Sequence, residues 1–316
     1  MAFLVLESFM RFFGARPDTH TGPGVTRRDC LRYFIWGWGL MLPLPLSPAR
    51  AAETTSGPSL LEKYLGEELS YQIGYWLLDH VGDAKTGFMK TDISGIYKLS
   101  LEGHGVGFIN LLLGGIKYSY TSFCRFVSKQ DRLQPVYFEL KRQRGTTVST
   151  RSISYNYSAG EITFLQNNPA VEIRTQKEPL RMDRIYEDYL TLFYNFRHGY
   201  YGSLKQDRTY RMPLYTKKKM NSVKLHIADL DSEKKLRSRE PNQTDKDFLV
   251  SFQINPEDVS SDTGDITGWL SSEATPVKGV IRDVVFFGDL WGDLIKKQIL
   301  RPQQQVSVPA AIKDIL

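Results

Sequence analysis

Adjacent carboxylates are the first place to look for acid–base chemistry, and this 316-residue chain has a pair at Glu187-Asp188. Their setting argues against a shared site. They fall near the start of a segment with helical spacing, where consecutive side chains diverge by about 100° around the axis. Two acidic residues there more simply complement the helix dipole. The histidines give no better case. His80, His104, His198 and His226 each lack a second histidine, a cysteine or a paired carboxylate at metal-ligand spacing. Gly103-His104-Gly105-Val106-Gly107 is glycine-rich but has neither the lysine nor the strand-to-helix context of a phosphate loop. Lys217-Lys218-Lys219 reads as a solvated turn, and no G-x-S-x-G elbow is present. No catalytic residue, metal ligand or cofactor is therefore expected.

A different chemistry sits upstream. Arg27 and Arg28 precede an apolar run, Tyr33 to Leu46, which ends in Pro48-Ala49-Arg50-Ala51-Ala52. Basic, apolar and small-residue parts in that order are the layout of a secretory leader. The paired arginines resemble a twin-arginine export signal. Leu31 fits the pattern, Arg32 keeps the charge, and Cys30 departs from it. An ordinary export leader with a chance Arg-Arg pair is the alternative. Either way the mature chain is expected to begin near Ala52, in the periplasm, with Ala49 and Ala51 at the cleavage site. The twin-arginine export machinery is the implied partner.

Removing that leader changes the charge balance. Residues 1–51 carry six of the 41 Lys and Arg and three of the 35 Asp and Glu, which leaves 35 against 32. Near balance makes no case for nucleic acid or for an anionic membrane surface. Of the two cysteines, Cys30 leaves with the leader, so Cys124 is single and an internal disulfide is excluded. Cys124 lies within Tyr120-Thr121-Ser122-Phe123-Cys124-Arg125-Phe126 and is expected to be buried. After residue 52 nothing approaches the ~18 consecutive apolar residues of a spanning helix, so any membrane contact is at most peripheral.

The elements that must position these residues are mostly strands. Glu67 to Trp76 alternates apolar and polar side chains, the mark of a half-buried strand. Asp79-His80-Val81-Gly82-Asp83 reads as a turn. Strands follow over 85–93, 97–101, 136–140, 151–157, 162–165, 208–214, 223–227, 248–254, 267–271 and 277–286. Many short strands separated by turn residues predict a mainly β fold: a large curved antiparallel sheet or open barrel. One amphipathic helix, predicted from Asp183 to His198, interrupts it. Asp183 is its expected cap and Gly199 its stop, with Ile185, Tyr189, Leu192, Phe193 and Phe196 on one face. Val106 to Ile116 predicts a short buried apolar helix, with a movable lid as the alternative. Ser232 to Asp247 reads as an exposed loop or hairpin tip. The organisation expected is an extension and export signal peptide over 1–51, a linker over 52–65, one domain over 66–295 and a C-terminal tail over 296–316, loosely attached from Arg301.

Several blocks, in order, carry a family likeness. They are Gly66-Glu67-Glu68-Leu69-Ser70-Tyr71-Gln72-Ile73 with Val81-Gly82, and Leu133-Gln134-Pro135-Val136-Tyr137-Phe138. Then come Arg184-Ile185-Tyr186-Glu187-Asp188-Tyr189-Leu190 with Tyr194-Asn195-Phe196-Arg197, and Gly268-Trp269-Leu270-Ser271 with Pro276-Val277. The set closes on Gly288 to Leu294. Together they resemble the bacterial domain-of-unknown-function family 3108. The resemblance implies an exported envelope protein with a curved antiparallel sheet wrapped on a helix, and it implies no chemistry.

A curved sheet lined with amphipathic aromatics makes an apolar cavity with polar handles. Tyr75, Phe108, Leu112, Tyr189, Phe193 and Trp269 are the candidate ligand-binding residues. The expected function is non-catalytic binding of an apolar or amphipathic, lipid-like envelope molecule. A scaffold for an envelope protein complex is the alternative, and a hydrolase-like enzyme comes third.

Overall fold

Alternation builds the first strand as expected. Leu69, Tyr71 and Ile73 are buried while Ser70 and Gln72 are not. The computed structural model describes residues 58–112, 114–168, 171–216, 219–238, 247–253, 265–284, 288–300 and 305–316. Arg27, Arg28, Leu31, Ala49 and Ala51 lie outside the described residues, as do residues 52–57 of the expected 52–65 linker, whose remainder carries a short helix over Leu60–Tyr64.

The chain opens with α1 (Leu60–Tyr64), β1 (Glu67–Tyr75), β2 (Leu78–Lys90) and β3 (Ile96–Gly105). A short helix α2 (Gly107–Leu112) leads to β4 (Ile116–Val127), β5 (Arg132–Arg144), β6 (Thr147–Asn156), β7 (Glu161–Asn168) and β8 (Val171–Pro179). The central helix α3 (Tyr189–Arg197) precedes β9 (Arg208–Thr216) and β10 (Lys219–Ile227). Then come α4 (Leu230–Arg237), β11 (Phe248–Gln253), β12 (Asp265–Leu270), β13 (Pro276–Val284), β14 (Gly288–Ile299) and α5 (Ala310–Lys313).

All fourteen strands form one antiparallel sheet in the order β8-β7-β6-β5-β4-β3-β2-β1-β14-β13-β12-β11-β10-β9. The expected mainly β fold, an open barrel around a helix, is what the chain adopts. The edge strands β8 and β9 share no backbone ladder, yet they lie close together. The Tyr215 hydroxyl on β9 donates to Glu178 on β8 at 2.9 Å, and the Tyr215 ring packs against Tyr155 and Tyr186. The sheet therefore curls until its ends meet through side chains.

The helix α3 lies inside that curl. Leu190 and Tyr194, one turn apart, join the main core, formed with β1 to β7 and with Tyr215, Ile266, Ile281 and Leu290 of β9 and β12 to β14. Leu192 and Phe196, also one turn apart, join a second core with β9 to β12. A helix apolar on two sides is buried nearly all round. Its remaining side is a polar stripe. Asn195 Oδ1 accepts from the Leu133 amide at 2.8 Å and its Nδ2 donates to the Leu133 carbonyl at 2.8 Å, clamping β5. Arg197 donates to both oxygens of Glu67, at 2.5 and 2.8 Å, and to Thr275 at 2.8 Å. Both Arg197 and Glu67 are buried, with the guanidinium lying over the Tyr64 ring at 4.6 Å.

Several expectations need correction. The helix begins at Tyr189, not Asp183. Asp188 caps it, accepting from the Leu190 and Thr191 amides, and Asp183 is exposed and pairs with Arg181 at 2.9 Å. Asp188 is the better cap because Thr191, three residues on, returns a hydroxyl to the Asp188 amide. Gly199 does end the helix, at φ +86°, a conformation that glycine adopts without steric cost. Residues 79–83 are strand, not turn. The reversal is two residues earlier, at Trp76-Leu77, between the paired Tyr75 and Leu78. β4, β8 and β14 were not expected as strands. Part of the expected 232–247 loop is helical, because Asp229 caps α4. The tail is anchored: Val308 and Ile312 are buried against Ile96 and Phe123, and Val306 bridges to Thr91. Cys124 is buried as expected.

Breaking a buried ion pair strands a charge, which costs more than the intact pair contributes. Glu67→Ala should lower the unfolding free energy by about 3–5 kcal/mol, and Glu67→Leu with Arg197→Met should recover much of it. Equilibrium urea unfolding measures both. A single-variant loss under about 1 kcal/mol, the range of exposed pairs, would mean that Arg197 does not anchor α3.

Candidate functional site

Two features stand apart from an ordinary packed core: a buried acidic pair at the start of α3, and an apolar rim at one end of the sheet.

The pair, Glu187-Asp188, is fully buried. Asp188 Oδ2 accepts from the Ser122 hydroxyl at 2.5 Å while Oδ1 caps α3, so one carboxylate joins β4 to the helix. Three donors converge on Glu187 Oε1: Asn195 Nδ2 at 2.8 Å, the Tyr201 hydroxyl at 2.9 Å and Arg132 Nη1 at 3.5 Å. Oε2 is buried with no hydrogen-bond partner. The Glu187 carbonyl accepts from the Tyr215 amide at 2.9 Å and so reaches the edge strand β9. Burial pushes the Glu187 carboxyl up to about 7 and the Asp188 carboxyl up to about 6, against the pull of their hydrogen-bond donors. The two side chains contact different elements, so they do not form the joint acid–base site that adjacency first suggests. Their geometry is that of a tether.

The rim follows from the register. Tyr75 pairs with Leu78, Gly82 with Gly105, Ile116 with Arg144, and Arg144 with Thr147. The β1–β2, β3–β4 and β5–β6 connections therefore leave the sheet at the same end, here the hairpin end. α1, α4 and α5 lie at the other end. At the hairpin end Trp76 is 65 % exposed, Leu77 75 %, Leu78 44 %, Phe108 69 % and Leu111 76 %. The backbone beneath them is fixed: the Trp76 amide donates to the Asp289 carbonyl, Val106 to Val81, and Ile116 to the Asn110 side chain, all at 2.9 Å. Exposure here is imposed by the fold.

The Trp76-Leu77 turn breaks local rules. Only the first of its two central residues has positive φ, +52° at Trp76. A two-residue hairpin of that pattern favours glycine at that position, and a bulky residue there is strained. Trp76 gains no burial in return.

The six ligand-binding candidates are not brought together. Tyr189 and Phe193 are half-buried against the main core, and Trp269 is 1 % exposed beneath the Arg237 guanidinium. Tyr75 ends β1 at the hairpin end and is half-buried. Phe108 and Leu112 lie on α2, and the Leu112 side chain is outside the described residues. The expected buried apolar helix is thus corrected. Its Phe108 and Leu111 face outward, because α2 caps the ends of β2 and β3 from outside the sheet. Sequence reasoning missed Arg132, Ser122, Asn195 and Tyr201. The available signal was Asn195, an amide inside an otherwise apolar helix.

Among the described residues no group of three or more His, Cys, Asp or Glu side chains is placed to hold a metal ion. No helix among them is long and apolar enough to cross a membrane, which leaves spanning by strands untouched.

Fold and site define a class: a mainly β protein whose open sheet is curled on an internal helix. Residues 70–294 match the family model described as "Protein of unknown function (DUF3108)", and the chain belongs to that family. Among solved structures the chain is similar to a beta-barrel-like protein of domain of unknown function DUF1849 from Brucella abortus. Identity is 11 %, over 74 % of this chain and 97 % of that one, with a TM-score of 0.40. No curated protein matches.

The acidic pair generates a pH dependence with a definite sign. Each carboxyl binds its proton more tightly folded than unfolded, because its folded value is raised. Stability contributed by the protonated forms is full below the unfolded values near 4 and is lost as pH rises towards 7. Glu187→Gln keeps the shape without the charge. It should flatten the decline between pH 5 and pH 8 and leave the variant the more stable form at pH 8. Urea midpoints at both values test this; parallel declines in variant and wild type would show that Glu187 is not the titrating group.

Proposed function

We propose that this protein is an exported, non-catalytic binding module of the bacterial cell envelope, and that it takes an apolar or amphipathic, lipid-like molecule at its hairpin end. The carrying observation is the set of large apolar side chains held outward there, on connections whose backbone is fixed. Contiguous exposed apolar surface on a monomer commonly marks an interaction site. The core supports the same placement. Tyr71, Tyr155, Tyr194, Phe88 and Trp269 are fully buried side chains, so the aromatics inside the sheet pack on each other. The leader-like segment at Arg27-Arg28 supports export to the periplasm. A scaffold reading would use the same surface for a protein partner.

The turn itself supplies the test. Trp76→Gly with Leu77→Asn installs residues that such a turn favours and removes two exposed apolar side chains. Strain relief and the extra flexibility of glycine roughly cancel, so unfolding free energy should stay within about 1 kcal/mol of wild type. Affinity for a fluorescent single-chain amphiphile, titrated below its micelle concentration, should fall at least tenfold. Unchanged affinity in a folded variant would refute this site.

A further inference from the structure

We infer that the hairpin end seats on the surface of an anionic phospholipid bilayer, with Trp76, Leu77 and Phe108 entering the interfacial layer. This rests on reading the same end as a lipid site. Two observations go beyond that reading.

The first is geometry. β1, β2, β3 and β4 are neighbours in the sheet, and neighbouring strands run about 4.8 Å apart. The Trp76-Leu77 turn and α2 therefore project side by side from one sheet end. A pocket for one soluble molecule needs convergent walls, whereas these side chains point out of the protein along adjacent hairpins. Tryptophan favours the level of lipid headgroups, where its ring meets both apolar and polar surroundings.

The second is local charge. Overall near-balance conceals an uneven distribution. Residues 106–117 and 140–151 contain Lys117, Lys141, Arg142, Arg144 and Arg151 and no carboxylate. Arg144 ends β5, with Arg142 two residues behind it, and Lys117 is the second residue of β4. At about 3.3 Å per residue these three lie within ~10 Å of the strand ends. That sets cations just behind the apolar tips, the depth order that interfacial binding requires. Of the carboxylates near this end, Asp79 and Asp83 lie on β2 and Asp289 on β14, away from β4 and β5, while Glu102 on β3 stands opposite Ser119 of β4 and offsets one of the cations. Asp83 also accepts from His80 at 2.8 Å. The basic flank thus orients α2 towards the anionic surface.

The experiment compares vesicles with a monomeric lipid. The purified chain is sedimented with unilamellar vesicles of phosphatidylethanolamine and phosphatidylglycerol, and separately with phosphatidylcholine alone. Binding should favour the anionic vesicles and fall in 0.5 M salt. Each cation near an anionic surface contributes roughly a fivefold factor, so the exposed-residue variant Lys117→Glu/Arg144→Glu should lose about tenfold or more. Brominated acyl chains should quench wild-type fluorescence more than that of Trp76→Phe. If a single-chain amphiphile binds but vesicles do not, the bilayer inference is overturned and the ligand reading stands. If neither binds, both fall and a protein partner is indicated. Vesicle binding indifferent to Trp76 and to the charge reversal would place the contact elsewhere and likewise overturn the inference.

Discussion

A sheet of fourteen strands whose end strands do not pair must be held curved by something inside it. That constraint falls on α3. Its polar contacts reach separate parts of the sheet: Asp188 to Ser122 on β4, Asn195 to the Leu133 backbone on β5, Arg197 to Glu67 on β1. The Glu187 carbonyl takes the Tyr215 amide of β9, the far edge. Apolar packing supplies most of the driving force but is not directional. The Asn195 clamp and the Arg197–Glu67 pair are satisfied only in one position of the helix, so they fix where the curled sheet closes. One apolar side of α3 packs in the main core, which already spans both halves of the sheet, and the other packs on β9 to β12. Without the helix, the Tyr215–Glu178 bond and a few rings would be the described contacts joining β8 and β9.

The same arrangement carries an electrostatic cost. Glu187 and Asp188 lose water on burial and regain only part of that solvation. Glu187 Oε2, together with the Tyr155 and Tyr157 hydroxyls, is buried without a partner. Buried polar groups that are not fully satisfied destabilise a fold, so their presence calls for a compensating role. Positioning supplies one here: the acidic pair is where the chain passes from the outer edge of the sheet into its interior. The cost falls on the scaffold.

How much of this was legible depended on whether the signal was local. Strand β1 announced itself, because Leu69, Tyr71 and Ile73 alternate with polar residues and only one face is buried. The existence of the central helix and its stop at Gly199 were legible for the same reason. Its start was not. Ile185 has helical spacing to Tyr189, but Asp188 is held by Ser122 and Thr191, and only the tertiary structure brings Ser122 there. Arg132 and Glu67 were illegible as anchors, since each meets its partner across more than fifty residues of sequence. The family likeness implied the architecture, while periodicity alone reached only a large antiparallel sheet. The tail failed for a related reason: Val308 and Ile312 become core only once β3 and β4 are in place beside them.

The β1–β2 reversal is the most telling misreading. The turn was expected at Asp79 to Asp83, where the residue types suit a turn, and it occurs at Trp76-Leu77, where they do not. Fold constraints explain the position, because the pairing of Tyr71 with Ala84 and Ile73 with Gly82 leaves two residues to reverse the chain. They do not explain the residues. Glycine at Trp76 would relieve the positive φ, and a polar residue at Leu77 would remove exposed apolar surface. Both changes oppose nothing in the described core, since neither side chain is buried in it. A tertiary-packing explanation therefore fails at this site, although it accounts for the start of α3 and for the anchored tail. The contact proposed for the hairpin end would account for an indole and a leucine held together at this tip. Phe108 and Leu111, exposed on the neighbouring connection, meet the same condition, and that coincidence is what turns one unusual hairpin into a surface.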